Sequence, residues 1–322
     1  MMSLARIAPI VALCSLMAFP ARADEPAKNV AEIQAAADRA LIRDLLDYLA
    51  RNPKAVDIDQ AYMKVFDKAI EHDWFADNEP VAKAYLANYP DGPVRALAQI
   101  VTTMARAQAG KYIEALASYD ALMAGLEGPE QEEFASNFAD SLAQSATIAG
   151  EPAVARQAYE TLLKKYGQDS PNLAQKVRDE LAHLDLVGKP APEVKARDIA
   201  DAPFRLADAK GKYVLVDFWA TWCAPCIAEL PRLQAAQAKY KDKGLVIVGV
   251  SLDESKAAVA DFVKARQVDW RQIHNATSDG DLVEAFSVKT IPATFLIDPK
   301  GTIVRLDLRG PALDKALEEL IK

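Results

Sequence analysis

Two cysteines three residues apart, Cys223 and Cys226, are the residues of this chain best placed for chemistry. Tyr213–Trp219, just before them, is a short apolar run of β-branched and aromatic residues, which predicts a strand buried on both faces. From Ala224 onward apolar residues recur at helical spacing, so the pair is predicted to lie where a strand passes into a helix. Unpaired N–H groups and the helix dipole at that position favour a thiolate, which makes Cys223 the predicted nucleophile.

The spacing of the two cysteines also predicts how they work together. Cys226 lies on the same side of the first helical turn and within disulfide reach of Cys223. A disulfide that closes so small a ring stabilises a fold only weakly, so a working dithiol explains the pair better than a structural bridge. A zinc half-site is the other interpretation of a bare C-x-x-C motif. Because His72, His183 and His274 form no cluster at ligand spacing, neither a metal nor another cofactor is predicted.

The segment VDFWATWCAPC, residues 216–226, resembles the active-site segment of the thioredoxin superfamily. Its flanking residues most resemble the periplasmic TlpA/ResA-like branch, and the likeness continues through VGKPAPEV at 187–194, GLVIVGVSLDES at 244–255 and TIPATFLIDPKG at 290–301. The resemblance spans residues 187–322 and implies an α/β thioredoxin-like domain, with a central mixed sheet flanked by helices. It also implies a protein-disulfide reductase or related thiol-disulfide oxidoreductase that acts through a mixed disulfide.

Two carboxyl groups are candidates for the acid-base step that converts Cys226 to a thiolate. Asp217 occupies the position of the buried aspartate of thioredoxins, and Glu229 that of an acidic residue of the TlpA/ResA-like branch. A charged, unpaired carboxylate inside an apolar strand is costly, so a raised pKa is expected for Asp217. We expect Glu229 to tune the pKa values of the thiols with Asp217 assisting, and which of the two does the main work stays open.

The resemblance further implies substrate contacts from Trp222 and from the loop at residues 290–292. In this superfamily the loop faces the dithiol and its proline is cis, a geometry that only proline reaches readily. Pro292 leaves no N–H donor close to the sulfurs, and the backbone of Ile291 could pair with an extended substrate segment. Trp222 offers a flat apolar contact beside the nucleophile, whereas Trp219 is predicted to belong to the core.

The first 23 residues predict a secretory signal peptide. Met1–Arg6 carries one positive charge, the apolar run Ile7–Phe19 is too short to span a membrane, and an A-x-A site ends at Ala23. A buried N-terminal helix and a lipidated Cys14 are the alternatives. Cleavage before Asp24 would remove Cys14 and deliver to the periplasm a protein whose only cysteines are the two of WCAPC.

Charge and chain length limit the possible partners and the number of domains. The cleaved chain would carry 36 basic and 46 acidic side chains, a net charge of −10. Since it also has no basic run and no RNA-binding motif, nucleic acid is not a predicted partner. With 322 residues, 51% of them hydrophobic and 26% charged, the chain is long enough for two globular domains.

Residues 24–186 are predicted to form an all-α domain. An apolar stripe from Ile33 through Leu41 to Tyr48 predicts one amphipathic helix, which ends at Asn52. Farther on, two segments repeat at an offset of 40 residues: Ala109-Gly110 with Ala115, Tyr119 and Met123, and Ala149-Gly150 with Ala155, Tyr159 and Leu163. This pattern resembles the tetratricopeptide (TPR) repeat, with an unrelated helical bundle as the alternative. Such hairpins either present a groove for a partner protein or for self-association, or pack only on themselves.

After the linker Val187–Pro192 the pattern alternates between strand and helix. The further predicted elements are strands at 245–252, 293–298 and 303–308 and helices at 256–266 and 312–321. The predicted organisation is therefore a signal peptide at 1–23, a TPR-like helical domain at 24–186 and a thioredoxin-like domain at 187–322.

The direction of electron flow is the least determined part of the predicted function. Ala224 and Pro225 bring neither a histidine nor a positive charge to stabilise the thiolate further, which favours a reductant of protein disulfides. In an oxidising compartment such a reductase needs electrons from a membrane donor, and the resemblance implies one like the CcdA/DsbD proteins. A disulfide oxidase or isomerase of the same fold is the first alternative.

Two further alternatives differ in class. A thiol peroxidase of the peroxiredoxin type sets a proline and a threonine ahead of its cysteine, and Val216 and Ala220 stand at those spacings here. A non-enzymatic TPR-type adaptor would use the α/β domain only as a spacer. The intact WCAPC motif argues against this second alternative.

Overall fold

The computed structural model describes residues 29–278 and 280–322. The predicted signal peptide, residues 1–23, lies outside the described residues. No helix in the two described ranges is long and apolar enough to cross a membrane. The contacts of the chain divide it into two compact units, of which the first ends at Gln131 and the second spans Glu132–Lys322.

The first unit is helical over its described residues. Its helices are α1 (Val30–Arg51), α2 (Ile58–Glu71), α3 (Phe75–Asn88), α4 (Arg95–Gln108) and α5 (Tyr112–Gly125). The predicted first helix is confirmed. It begins where the side chain of Asn29 accepts the N–H of Glu32, and it ends at Asn52 as predicted.

The buried side of α1 differs from the predicted apolar stripe. Ile33 and Leu41 are exposed, whereas Ile42 and Leu49 are buried. The reason is that α1 packs on α2 around a buried carboxylate, Asp38, rather than along the stripe. The buried side of a helix depends on its neighbours as well as on its own period.

The second unit begins with three more helices and continues with the α/β fold. The helices are α6 (Glu132–Ala149), α7 (Pro152–Tyr166) and α8 (Pro171–Leu184). The α/β elements are β1 (Lys195–Arg197), β2 (Pro203–Arg205), β3 (Tyr213–Trp219), α9 (Ala224–Tyr240), β4 (Leu245–Ser251), α10 (Lys256–Ala265), β5 (Arg271–His274), α11 (Leu282–Ala285), β6 (Ala293–Ile297), β7 (Ile303–Leu306) and α12 (Gly310–Leu320). The predicted division at residues 186 and 187 marks the change from helices to strands, and α6–α8 share a compact unit with the strands.

The two 40-residue repeats form helical hairpins with the same turn. Gly110 joins α4 to α5 at φ +75°, and Gly150 joins α6 to α7 at φ +82°, both in the left-handed region that glycine adopts without strain. The alanine and tyrosine of each repeat are buried in its second helix, at Ala115, Tyr119, Ala155 and Tyr159. The helix–turn–helix repeat is therefore confirmed, and its assignment to the TPR type stays a prediction.

Five strands form a mixed sheet in the order β5-β4-β3-β6-β7. β3 runs parallel to β4, β4 runs parallel to β5, and β6 and β7 are antiparallel to their neighbours. The predicted central mixed sheet is confirmed, and the predicted elements agree with the observed ones to within two residues at each end. The hairpin β1–β2, strand β5 and helix α11 were not predicted, because elements of three or four residues are too short for a period to show.

Side chains of β3 alternate between the two faces of the sheet and so position the site. Val214, Val216 and Phe218 join the core on one face, and Leu215 joins the core that α9 and α12 cover on the other. Asp217 is two residues from Leu215, so it lies on the α9 side of the sheet.

Candidate active site

A disulfide joins Cys223 to Cys226 at the start of α9, with their Cα atoms 5.3 Å apart. Cys223 is the residue that caps α9, and its Sγ accepts the N–H of Cys226 at 3.3 Å. In the reduced protein this N–H and the helix dipole favour a negative charge on the Cys223 sulfur. Both cysteines are buried, in a cluster with Trp219 and Val259.

The loop between β3 and Cys223 is held by Asp253, which lies just beyond β4. The Asp253 carboxylate accepts the Thr221 N–H at 3.0 Å, the Thr221 hydroxyl at 2.5 Å and the Ser251 hydroxyl at 2.8 Å. Because β3 and β4 are parallel and end at the same edge of the sheet, they bring Asp253 to the loop. We did not predict this contact from the sequence, although polar residues directly after a buried strand, in GVSLDES, carried the signal.

Trp219, at the end of β3, is fixed by a second contact that sequence reasoning missed. Its Nε1–H donates to the side chain of Gln272 on β5 at 2.9 Å. A Cβ at Gly249, on the intervening strand, would collide with the end of the Gln272 side chain and displace it from this hydrogen bond. The predicted core placement of Trp219 is confirmed.

Asp217 lies in the middle of β3, paired in register with Gly249 of β4 and Thr294 of β6. The residue is only 8% exposed, and no side chain or N–H of the described residues donates a hydrogen bond to its carboxyl group. Burial, and then the charge of Glu229, raise the pKa of Asp217 from 3.8 to about 7. This group can therefore take up or release a proton near neutral pH, as the sequence led us to expect.

Glu229 lies one turn after Cys226 on α9, on the same side of the helix. Its carboxylate accepts the N–H of Gly310, the first residue of α12, at 2.9 Å. Held there, half-buried, it contributes negative charge to the surroundings of Asp217. The two predicted acid-base groups are thus brought to the same side of the sheet as the dithiol.

The loop before β6 approaches the dithiol from another direction. The Ile291–Pro292 peptide bond is cis, and the Ile291 side chain packs against the cluster that contains both cysteines. Trp222 is 67% exposed beside this buried cluster, in contrast to Trp219. Cys223, Cys226 and Ile291 therefore lie in one buried cluster, and the large apolar side chain of Trp222 faces solvent beside it.

Among the described residues, the side chains that could share a metal ion are Asp38, Glu71 and His72, in the helical first unit. The ammonium group of Lys68 already lies 3.3 Å from the Asp38 carboxylate and 2.7 Å from that of Glu71. This cluster is therefore an internal ion pair with its own cation, and it belongs to a different unit from the dithiol.

Known proteins that are similar to this chain match its second half. The profile described as the AhpC/TSA family matches residues 187–306. The thiol-disulfide oxidoreductase ResA of Bacillus thuringiensis subsp. konkukian (strain 97-27) is 35% identical over 136 residues, which are 42% of this chain and 77% of that protein. ResA of Bacillus subtilis (strain 168) is 36% identical over 119 residues, which are 37% of this chain and 65% of that protein.

A solved structure is similar over the same share of the chain. It is the thioredoxin domain of a thiol-disulfide oxidoreductase from Bacteroides vulgatus, 33% identical, with a TM-score of 0.39, covering 42% of this chain and 98% of that one. The AhpC/TSA match gives no advantage to the thiol peroxidase alternative, because the relatives named here are thiol-disulfide oxidoreductases. At 35% identity over 77% of a ResA protein, the chain belongs to the ResA-like family of thiol-disulfide oxidoreductases.

Proposed function

We propose that this protein is an exported reductase of protein disulfides that works through Cys223 and Cys226. The observation that carries the proposal is the position of the Cys223 Sγ at the start of α9, where it accepts the N–H of Cys226. This arrangement favours a thiolate at Cys223 and keeps Cys226 within reach as the resolving thiol.

The proposed reaction has two displacement steps. In the reduced enzyme the Cys223 thiolate attacks one sulfur of a substrate disulfide, the Cys223–substrate bond forms, and the other substrate sulfur leaves as a thiolate. The Cys226 thiol then loses its proton and attacks the Cys223 sulfur, which releases the second substrate sulfur. Two electrons pass from enzyme to substrate, and the enzyme ends with the Cys223–Cys226 disulfide.

Asp217 and Glu229 are proposed to serve the second step. A base with a pKa near the working pH accepts the Cys226 proton most effectively, and the pKa of about 7 for Asp217 meets that condition. Glu229 keeps this pKa high through its charge, so it acts on the thiol proton through Asp217 as well as by its own position on α9.

Trp222, Ile291 and Pro292 are the proposed substrate contacts. Trp222 is the exposed apolar side chain next to the nucleophile, and it can cover the substrate disulfide during attack. The backbone of Ile291 is proposed to pair with an extended substrate segment, while Pro292 adds no competing N–H. The substrates would be proteins that carry disulfides.

The proposed location is the periplasm, reached through the signal peptide at residues 1–23. Each turnover leaves a reductase there with its cysteines oxidised, and the oxidising compartment does not reduce them again. We therefore propose that a membrane electron donor of the CcdA/DsbD type supplies the electrons. The TPR-like helices would bind a partner protein or a second copy of the chain. Nucleic acid is not a proposed partner.

Insulin reduction tests the function directly. The reduced protein, supplied with dithiothreitol, should accelerate insulin precipitation, and Cys223→Ser should abolish the acceleration. Cys226→Ser should instead trap a mixed disulfide that mass spectrometry detects, since the resolving thiol is missing. Acceleration that survives Cys223→Ser would refute the mechanism, and no acceleration by the wild type would favour the adaptor alternative.

A further inference from the structure

A cleft of about 350 Å³ lies between the helices α6–α8 and the loop before β6, the same loop that packs against the cluster of the two cysteines. We call it the helix cleft, and its lining includes Asp140, Lys176, Glu180 and His183 from the helices and Thr290 and Pro292 from the loop. Its volume lies within the range of sites that hold part of a ligand or a few side chains. All of its walls belong to the second compact unit.

The helix cleft and the dithiol share the loop at residues 290–292. Thr290 and Pro292 line the cleft, while Ile291 between them packs against the cluster of Cys223 and Cys226. A polypeptide that pairs with the Ile291 backbone therefore also runs past Thr290 or Pro292, the residues on either side of Ile291. The neighbouring part of that polypeptide is then at the mouth of the cleft.

The helical wall is fastened to the α/β fold, so the cleft is formed before any ligand binds. The His183 ring, on α8, lies 2.9 Å from the Asp307 carboxylate, just beyond β7. The same ring packs edge-on against Phe295 of β6, with centroids 5.7 Å apart. A preformed wall loses little conformational entropy when a substrate enters.

Carboxylates line the helical side of the helix cleft, and they differ in their partners. Asp140 is paired with Lys176 at 2.5 Å, and Asp307 is paired with His183. Glu180, half-buried on α8, has no ion pair or hydrogen bond within the described part of the chain. Burial, and then the charges of Asp140 and Asp307, raise the pKa of Glu180, although His183 and Lys176 oppose this.

Besides Lys176 on the helical wall, which is paired with Asp140, the cleft has two cations on its α/β side. Lys289 precedes the loop residue Thr290, and Arg309 precedes α12. Within the described residues neither cation forms an ion pair with a carboxylate of the helical wall. The carboxylate left without a partner is therefore Glu180, and a cation supplied by a ligand would lower the cost of burying it.

We propose that the helix cleft binds the polypeptide that flanks the reactive cysteine of a substrate protein, with Glu180 receiving a lysine or arginine side chain of that segment. The inference rests on the proposed disulfide reductase function and names its substrate class: proteins with a basic residue near the cysteine under attack. It assigns the helices α6–α8 a part in substrate selection.

The test uses pairs of single-cysteine peptides that differ only by lysine or glutamine at one position flanking the cysteine. Each peptide is a mixed disulfide with thionitrobenzoate, whose coloured release by the reduced protein gives kcat/KM. For the best position, the lysine peptide should react roughly two- to fivefold faster than the glutamine peptide, the gain typical of a partly exposed ion pair. Glu180→Gln should remove this difference.

A matched variant and a small disulfide complete the test. Glu160→Gln, the same change at an exposed position of α7 outside the cleft, should keep the lysine preference. Hydroxyethyl disulfide, too small to reach the cleft, should be reduced at one rate by the wild type and both variants. Equal rates for the two peptides, or a preference that survives Glu180→Gln, would overturn the inference. Failure to reduce even hydroxyethyl disulfide would overturn the proposed function itself.

Discussion

Two buried aspartates, one in each unit of the chain, have pKa values that are shifted in opposite directions. Asp38 in the helical first unit is 4% exposed and Asp217 in the sheet is 8% exposed, so little of either side chain contacts solvent, although Asp217 lies deeper in the protein. The pKa of Asp38 lies below its ordinary value, whereas that of Asp217 is raised to about 7. Burial alone therefore does not determine what a buried carboxyl group does.

Both the depth of burial and the partners contribute to the difference. Asp38 accepts a hydrogen bond from the His72 ring at 2.8 Å, with further bonds from Gln34 and Lys68, and these contacts outweigh the effect of burial on its pKa. Among the residues that the structure describes, no such donor reaches Asp217, and its charged neighbour, Glu229, is a second acid. A buried carboxyl group with donors and a cation beside it favours its charged form, and one without them favours its neutral form and is a candidate for acid-base chemistry.

The largest expected effect is on activity. Asp217→Asn should lower kcat/KM for insulin reduction by about 10- to 100-fold, because an amide cannot accept the Cys226 proton. Asp38→Asn should leave activity per folded molecule unchanged, since Asp38 belongs to a different unit from the dithiol. An equal loss of kcat/KM in both variants would contradict the claim that Asp217, and not Asp38, takes part in the reaction.

The next effect is on stability, and its pH dependence has opposite signs at the two sites. The folded pKa of Asp217 exceeds the unfolded value of 3.8, so its ionisation opposes folding by up to about 4 kcal/mol above pH 7 and by nothing below pH 3.8. Asp217→Asn should therefore gain stability relative to the wild type as the pH rises from 4 to 8.

Asp38 should behave in the opposite way. Its pKa is depressed on folding, so its contribution to stability is present above 3.8 and is lost as the pH falls through the folded pKa. Asp38→Asn should then be less stable than the wild type at neutral pH, and the gap should close in acid. Urea titrations of the oxidised protein at several pH values measure both curves, and parallel curves for wild type and variants would contradict the comparison.

The smallest effect concerns the pair of acids. Glu229→Gln removes the charge that helps to raise the pKa of Asp217, so this pKa should fall below about 7 without returning to 3.8, because burial remains. Carbon NMR of the Asp217 carboxyl group in the oxidised protein measures the shift. Glu318→Gln, at an exposed position of α12, is the control that should leave the pKa unchanged. An unchanged pKa in Glu229→Gln would mean that burial alone sets its value.

The elements around the dithiol could be predicted from the sequence because their signals are local. The apolar run of β3 and the helical spacing after Ala224 depend only on neighbouring residues, and both are observed at the predicted positions. The left-handed turns at Gly110 and Gly150 likewise follow from small residues at one place in the chain.

Contacts between distant residues could not be predicted in this way. Asp253 reaches Thr221 only because β3 and β4 are in register, and His183 reaches Asp307 across 124 positions of the chain. The helix cleft depends on such a contact, so no stretch of sequence indicates it. The unexpected exposure of Ile33 has the same origin, since the buried side of α1 follows from its contact with α2.

The central claim, that the dithiol reduces its substrates, is tested most directly by the reduction potential of the Cys223–Cys226 couple. Equilibration of the wild-type protein with dithiothreitol or glutathione buffers, followed by thiol trapping, measures it. For a reductase we expect a value of about −250 mV or lower, close to that of thioredoxin. A value above about −150 mV, close to a strong periplasmic oxidant, would contradict the claim and favour the oxidase or isomerase alternative.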